Sequence, residues 1–307
     1  MKQTTLRSPV IFQGVGLHSG KEVRVCIHPA PADSGFVFAL RGQDGLRYLA
    51  PSPRKVVATG LATTLGEGGS RVSTVEHLLA ALVGLEIDNA LVEVHGEEIP
   101  IMDGSAATFV AQLKSVGRYL LDQKRRVARI KRPVSLEKEG KRISASPYNG
   151  LRIEYAIDFP HPKIGAQVYT LECTPHSFAT QIASARTFGF VKDIEFLHKN
   201  GLAKGGSLDN AVVFSEKGIL NPDGLRYADE MVRHKILDFL GDIGVAAYRL
   251  RGRFSVSCSG HEFNNQFVQF LFDNASSYLD IDRDVAPAFL PGEWAERLVS
   301  GAVPAWA

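Results

Sequence analysis

The chain has 307 residues, 45% of them hydrophobic and 22% charged, the balance of an ordinary soluble globular protein with room for two domains of usual size. A formal net charge of +2 gives no argument for a polyanion partner and does not exclude a small anionic molecule. Three cysteines, Cys26, Cys173 and Cys258, are odd in number, far apart and contain no C-x-x-C pair, which fits a reducing compartment and argues against a disulfide framework.

In chain order, the N-terminus "MKQTTLRSPVIFQG" lacks the apolar run and small-residue cleavage site of a secretory signal. "EVRVCIHP" (22–29) alternates, with Val23, Val25 and Ile27 on one side and Glu22, Arg24 and Cys26 on the other, as a strand does. Helical spacing appears in "STVEHLLAALVGL" (73–85), where Val75, Leu78, Leu79 and Leu82 share a face and Ser73-x-x-Glu76 reads as a capping box. Its apolar run, 78–85, is far short of the ~20 residues that cross a bilayer. A strand at 89–96 and a helix at 106–117 follow, then strand-like segments at 127–136 and 151–160. The order returns near the end as a helix at 228–243, a strand at 253–260 and a helix at 264–274.

These elements predict an α+β fold of two similar domains, 1–123 and 127–278, each a sheet packed with two helices in a β-α-α-β sandwich. The first would carry a small β insertion, and the active site would lie between the two. "QKRRVARIKR" (123–132) packs six cations into ten residues without interleaved aromatics, and reads as a solvated linker and strand edge rather than a nucleic-acid surface. Residues 187–214 form an apolar βαββ-like insertion, either a small satellite core or the lining for a hydrophobic ligand chain. Residues 279–307 read as a loosely packed tail.

"RHKILDFLGDIG" (233–244) carries the chemistry. His234, Asp238 and Asp242 recur every four residues, opposite Ile236, Phe239, Leu240 and Ile243. Such a stripe is either the wet side of an amphipathic helix or a site. A catalytic zinc takes three protein ligands, and His234 and Asp238 at i and i+4 can reach one ion, with His77 on the equivalent helix of the other half as the third. Glu76, adjacent to a ligand, has the position of a carboxylate that activates water, although a capping role is equally readable there. His261 in "SGHEFNN" is either a surface turn residue or a general acid, with Asp242 to keep it protonated and oriented. Lys235 is either an exposed cation or, beside a metal, a stabiliser of developing negative charge. The H-E-x-x-H motif is absent, because Asn265 stands where its second histidine belongs. "GVGLHSG" (14–20) is one residue too long for a dinucleotide fingerprint and precedes a strand, not a helix.

Together, "GVGLHSG", "STVEHLLAAL" (73–82), "IPIMDGSA" (99–106), "SARTFGF" (184–190), "GLAKGGSLDNA" (201–211), "VRHKILDFLGD" (232–242) and "SGHEFNN" (259–265) closely resemble the zinc-dependent UDP-3-O-acyl-N-acetylglucosamine deacetylases of lipid A biosynthesis. The motifs run in family order from about residue 5 to residue 275. The resemblance implies a cytoplasmic monomer, at most peripheral to the inner membrane. It would remove the N-acetyl group from UDP-3-O-[(3R)-3-hydroxyacyl]-N-acetylglucosamine with one zinc ion. It places the zinc ligands on His77, His234 and Asp238, the general base on Glu76, and an acid or electrostatic partner on His261 with Asp242 beside it, the leaving amine taking its proton from His261 or from Glu76 acting again. Thr187 falls on the hydroxyl that polarises the scissile carbonyl, and Lys235 on a cation near the oxyanion. Phe188, Phe190, Ile194 and Ala203 would line the acyl passage, His18 would also contact substrate, and Phe159 would contact uracil. One departure is Cys258, which stands where the resemblance leads us to expect a lysine near the nucleotide. A zinc amidohydrolase of another acylated nucleotide sugar, and more remotely a non-enzymatic RNA-binding protein using 123–132, are the competing readings.

Overall fold

The computed structural model describes residues 1–42, 45–282 and 293–300, and shows an α+β protein with two main sheets, each packed with helices. In the first sheet the strands Val10–Val15, Glu22–Pro29, Ala90–His95, Phe36–Gly42 and Gly45–Leu49 lie in that order. All neighbours are antiparallel except Phe36–Gly42, which runs parallel to Ala90–His95. Val23, Val25 and Ile27 face the core, as the alternation of 22–29 requires. Two helices belong to this half, α1 (Glu76–Gly84) and α2 (Ala107–Val116). The rings of Phe12 and Phe109, 4.9 Å apart, tie α2 to the sheet.

The second sheet is organised around the long strand Arg249–Ser257, which pairs with Lys141–Ser146, Val127–Ile130 and Leu151–Phe159. Its helices are α3 (Glu230–Gly244) and α4 (His261–Asp273). A run of aromatic rings, Tyr155, Phe239, Phe254 and Phe267, links sheet to helices at centroid separations of 6.2, 5.7 and 6.4 Å. The apolar side of α3 is therefore anchored on the sheet. His234, Asp238 and Asp242 on its other side are buried too, so that stripe is no wet face.

The two halves meet where α1 packs on α3. At the crossing, a Cβ on Gly241 would lie 2.0 Å from the Glu76 carbonyl oxygen, and one on Gly244 would lie 3.0 Å from Val83. Only a glycine lets the backbone carrying Asp238 and Asp242 come this close to the backbone carrying Glu76 and His77. Gly241→Ala is expected to cost about 1–3 kcal/mol through overpacking, read as a lowered melting temperature. Any activity that needs side chains from both helices should fall with it, because the helices are forced apart.

Several expectations are corrected by tertiary structure. The helix expected from 264 begins at His261, and the strand expected over 127–136 divides at Pro133, whose missing N–H cannot serve a ladder. The basic stretch is not a solvated linker. Arg118–Lys124 is a strand paired with Lys2–Leu6, and buried Arg125 donates to Glu86 and Asp88 at 3.1 and 3.0 Å. Those acceptors lie nearly forty residues back in the chain, outside any local pattern. The apolar insertion contains two parallel strands, Phe188–Phe190 and Val212–Phe214, joined through the helix Val191–Lys199. Two pieces of the expected loose tail are packed: Leu279–Ile281 pairs with Val127–Ile130, and Ala295 and Leu298 bury against Val37, Ala39 and Leu91. Residues 283–292 and 301–307 of the tail lie outside the described residues. Among the described residues, no helix is long and apolar enough to cross a membrane.

Candidate active site

His77 from α1 and His234 and Asp238 from α3 converge at the crossing. Their potential ligand atoms all lie within 4.8 Å of one another, and all three side chains are buried. Asp238 Oδ1 is 3.2 Å from His234 Nε2 and 3.6 Å from His77 Nε2, and the two rings stand edge to face. Asp238 Oδ1 is buried without a hydrogen-bond partner, and so is His77 Nδ1. An orphaned carboxylate oxygen between two imidazole nitrogens is the donor set a divalent metal ion completes. His234 Nδ1 donates to the Ala185 carbonyl at 3.0 Å, which aims Nε2 and its lone pair at the centre of the trio. Burial lowers the His234 pKa to about 3, so the ring is neutral and free to ligate. Burial works against ionised Asp238, but the Lys235 ammonium beside it, with protonated His261 nearby, holds its carboxyl well below the usual range. Lys235 Nζ donates to Asp238 Oδ2 at 2.8 Å, so its ammonium is fixed beside the trio rather than solvated.

Two further titratable groups face this centre. The expected capping box does not form: Ser73 Oγ bonds Thr64 Oγ1, and α1 has no side-chain cap. The Glu76 carboxylate instead accepts the Thr63 backbone N–H at 3.0 Å and is buried inside the site. Burial raises the Glu76 pKa, with His261 and His77 pulling the other way. His261 Nε2 is 4.0 Å from both Glu76 Oε1 and Asp238 Oδ2. Its Nδ1 bonds Asp242 Oδ2 at 2.9 Å. Asp242 is held in turn by Asn264 Nδ2 at 2.8 Å and by Thr63 Oγ1 at 2.6 Å. Burial alone would make His261 less basic, but Asp242, Asp238 and Glu76 together raise its pKa to about 10. His261 is thus a protonated group at neutral pH, with Asp242 as the largest source of its basicity. Asp242→Asn removes that charge, so the protonated form is lost at lower pH. The alkaline limb of the kcat/KM profile should move down by about 1–3 pH units, while metal content stays unchanged.

The cleft that these residues line, about 330 Å³, also includes Thr187, Leu61 and Lys141. Thr187 is set by backbone bonds to Gly104 and Val212, each 2.8 Å long. A buried bidentate pair, Arg186 with Glu230 at 2.9 and 3.1 Å, ties this segment to the start of α3. Thr187 and Phe188 form a wall shared with an apolar cavity of about 380 Å³. That cavity brings together Phe188, Phe190, Ile194, Ala203 and His18, the positions expected of an acyl passage and substrate contacts. Phe159 is not among its lining. It sits with His161 and Phe190 in a neighbouring open hollow of about 870 Å³, its ring 5.4 Å from that of Phe188. Cys258 is exposed at the end of the strand before α4, in a left-handed conformation at φ 50°. The sequence reading missed Thr63, Asn264 and Gly241, none of which has a signature of its own; their roles arise only from contacts across the two halves.

The family model for UDP-3-O-acyl N-acetylglycosamine deacetylase (LpxC) matches residues 3–273. The chain belongs to this family. It is accordingly an enzyme, a deacetylase that hydrolyses an amide. The UDP-3-O-acyl-N-acetylglucosamine deacetylase of Nitratidesulfovibrio vulgaris is 55% identical over 280 residues, covering 91% of each chain. That of Oleidesulfovibrio alaskensis is 55% identical over 279 residues, 91% of this chain and 92% of its own. That of Lawsonia intracellularis is 46% identical over 304 residues, 99% of this chain and 97% of its own. The match thus covers the first sheet, all of the second but its strand Leu279–Ile281, and the three helices α1, α3 and α4 that carry the site.

Proposed function

We propose that this deacetylase removes the N-acetyl group of UDP-3-O-[(3R)-3-hydroxyacyl]-N-acetylglucosamine, giving acetate and the free amine in lipid A biosynthesis. One zinc ion would be held by His77, His234 and Asp238. The observation that carries the reading is the convergence of this trio with Glu76 and His261 in a cleft that shares a wall with an apolar cavity. We further propose that it acts in the cytoplasm as a monomer, with domain limits of 1–123 and 127–278.

When bound, zinc supplies Lewis acidity that acidifies water and polarises the amide carbonyl. Glu76 takes the proton of the attacking water, a task that suits a buried carboxyl of raised pKa. Thr187 donates its hydroxyl to the carbonyl oxygen, and the Lys235 ammonium faces the negative charge that develops there. Protonated His261, held by Asp242, supplies a proton to the departing amine. The acyl chain occupies the cavity of Phe188, Phe190, Ile194, Ala203 and His18, while Phe159 and its hollow receive the uridine diphosphate.

Acetate release should be rapid from the acylated sugar nucleotide and slow from UDP-N-acetylglucosamine. Equal rates on the two would contradict the acyl part of the proposal. Ile194→Trp, which fills the cavity, should raise KM for the acylated substrate about tenfold or more and leave metal content unchanged, measured by steady-state kinetics and metal analysis. A faster reaction on a differently acylated nucleotide sugar would favour that substrate instead.

A further inference from the structure

Away from the cleft, the first sheet carries a second cluster of metal-ligating side chains. Cys26 and His28 are two residues apart on the strand Glu22–Pro29, so they project from the same face, opposite Val25 and Ile27. Glu93, on the adjacent strand Ala90–His95, is the direct cross-strand partner of Cys26. All three are buried, at 7, 8 and 6% exposure, and Cys26 is a free thiol. The sulfur, an imidazole nitrogen and a carboxylate oxygen lie within 4.8 Å of one another. A tetrahedral ion with bonds of 2.0–2.3 Å keeps its ligand atoms about 3.3–3.8 Å apart. His28 Nε2 is already 3.2 Å from Glu93 Oε2, so small side-chain rotations close the set. The other carboxylate oxygen, Oε1, is engaged by Arg41 at 3.2 Å and His95 at 2.8 Å. Such outer hydrogen bonds orient a carboxylate ligand and leave Oε2 to face the ion.

We propose that Cys26, His28 and Glu93 form a second metal site, structural in role, for a zinc-class divalent cation. On binding, the Cys26 S–H bond breaks and its proton passes to solvent. The Nε2 proton of neutral His28 moves through solvent to its own Nδ1, and three donor atoms then bond the cation without any change of oxidation state. The mixed sulfur, nitrogen and oxygen set selects zinc or cobalt over magnesium or calcium. Bound there, the ion cross-links two neighbouring strands at the centre of the first sheet.

The test is titration of the metal-free full chain with cobalt(II), watched for a thiolate-to-cobalt charge-transfer band in the near ultraviolet. The catalytic trio contains no thiolate, so the band reports this second site alone. The wild type should bind two equivalents and show the band. Cys26→Ala should bind one, lack the band and keep its deacetylase activity. Cys258→Ser should retain the band, and Glu93→Gln should weaken cobalt binding at this site about tenfold or more. His234→Ala gives a second reading: cobalt should still produce the band and raise its melting temperature. Absence of the band from both wild type and His234→Ala, or its persistence in Cys26→Ala, would overturn the proposal. A failure of the proposed deacetylation would leave this band unchanged.

Discussion

His234→Ala is expected to lose the catalytic metal ion and, with it, turnover. The ring lies 2% exposed at the helix crossing, with Nδ1 fixed by the Ala185 carbonyl and Nε2 aimed at Asp238 Oδ1. Removing it leaves one histidine and one carboxylate. Loss of outer-shell partners alone costs about 10–100-fold in metal affinity, so loss of a ligand should cost about 100-fold or more. Metal analysis after dialysis should find the catalytic ion gone, and kcat should fall about a thousandfold or further. The anchored apolar side of α3, with Ile236, Phe239, Leu240 and Ile243 all buried, is untouched, so the far-ultraviolet dichroism should stay native. An active His234→Ala enzyme would refute the ligand assignment.

Glu76→Gln should separate chemistry from metal binding. The carboxylate is 4.0 Å from His261 and bonded to the Thr63 backbone N–H, a bond that glutamine's carbonyl oxygen can replace. The variant should therefore keep its fold and its metal. It loses the proton acceptor, and kcat should drop about 10²–10⁴-fold with little change in KM. Burial raises the Glu76 pKa above its ordinary value, so the acid limb of the wild-type profile should be shifted upward from that of a solvated glutamate. A Glu76→Gln protein that loses metal together with activity would make Glu76 a ligand rather than a base.

The helices of the site were legible because their chemistry is local. The four-residue spacing of His234, Asp238 and Asp242 survives any packing of α3, and the sheet-and-helix order that recurs in each half pairs that helix with the one carrying Glu76 and His77. What the pattern left open was burial: a stripe of this kind reads equally as solvated until a second helix covers it. The capping box at Ser73 failed because Thr64 and Thr63, brought in from the neighbouring hairpin, compete successfully for Ser73 and Glu76. Arg125 seemed solvated because its partners, Glu86 and Asp88, precede it by nearly forty residues. Gly241 carries no sequence signal at all, since only the approach of the Glu76 carbonyl makes a side chain intolerable there. Cys26, His28 and Glu93 were invisible for the same reason, being joined only by strand pairing.

The most direct test of the account is mass spectrometry of UDP-3-O-(3-hydroxyacyl)-N-acetylglucosamine after incubation with the purified chain, with and without a chelator. Loss of one acetyl group, abolished by the chelator and restored by added zinc, is the predicted result. Intact substrate from a folded, zinc-loaded protein would contradict it.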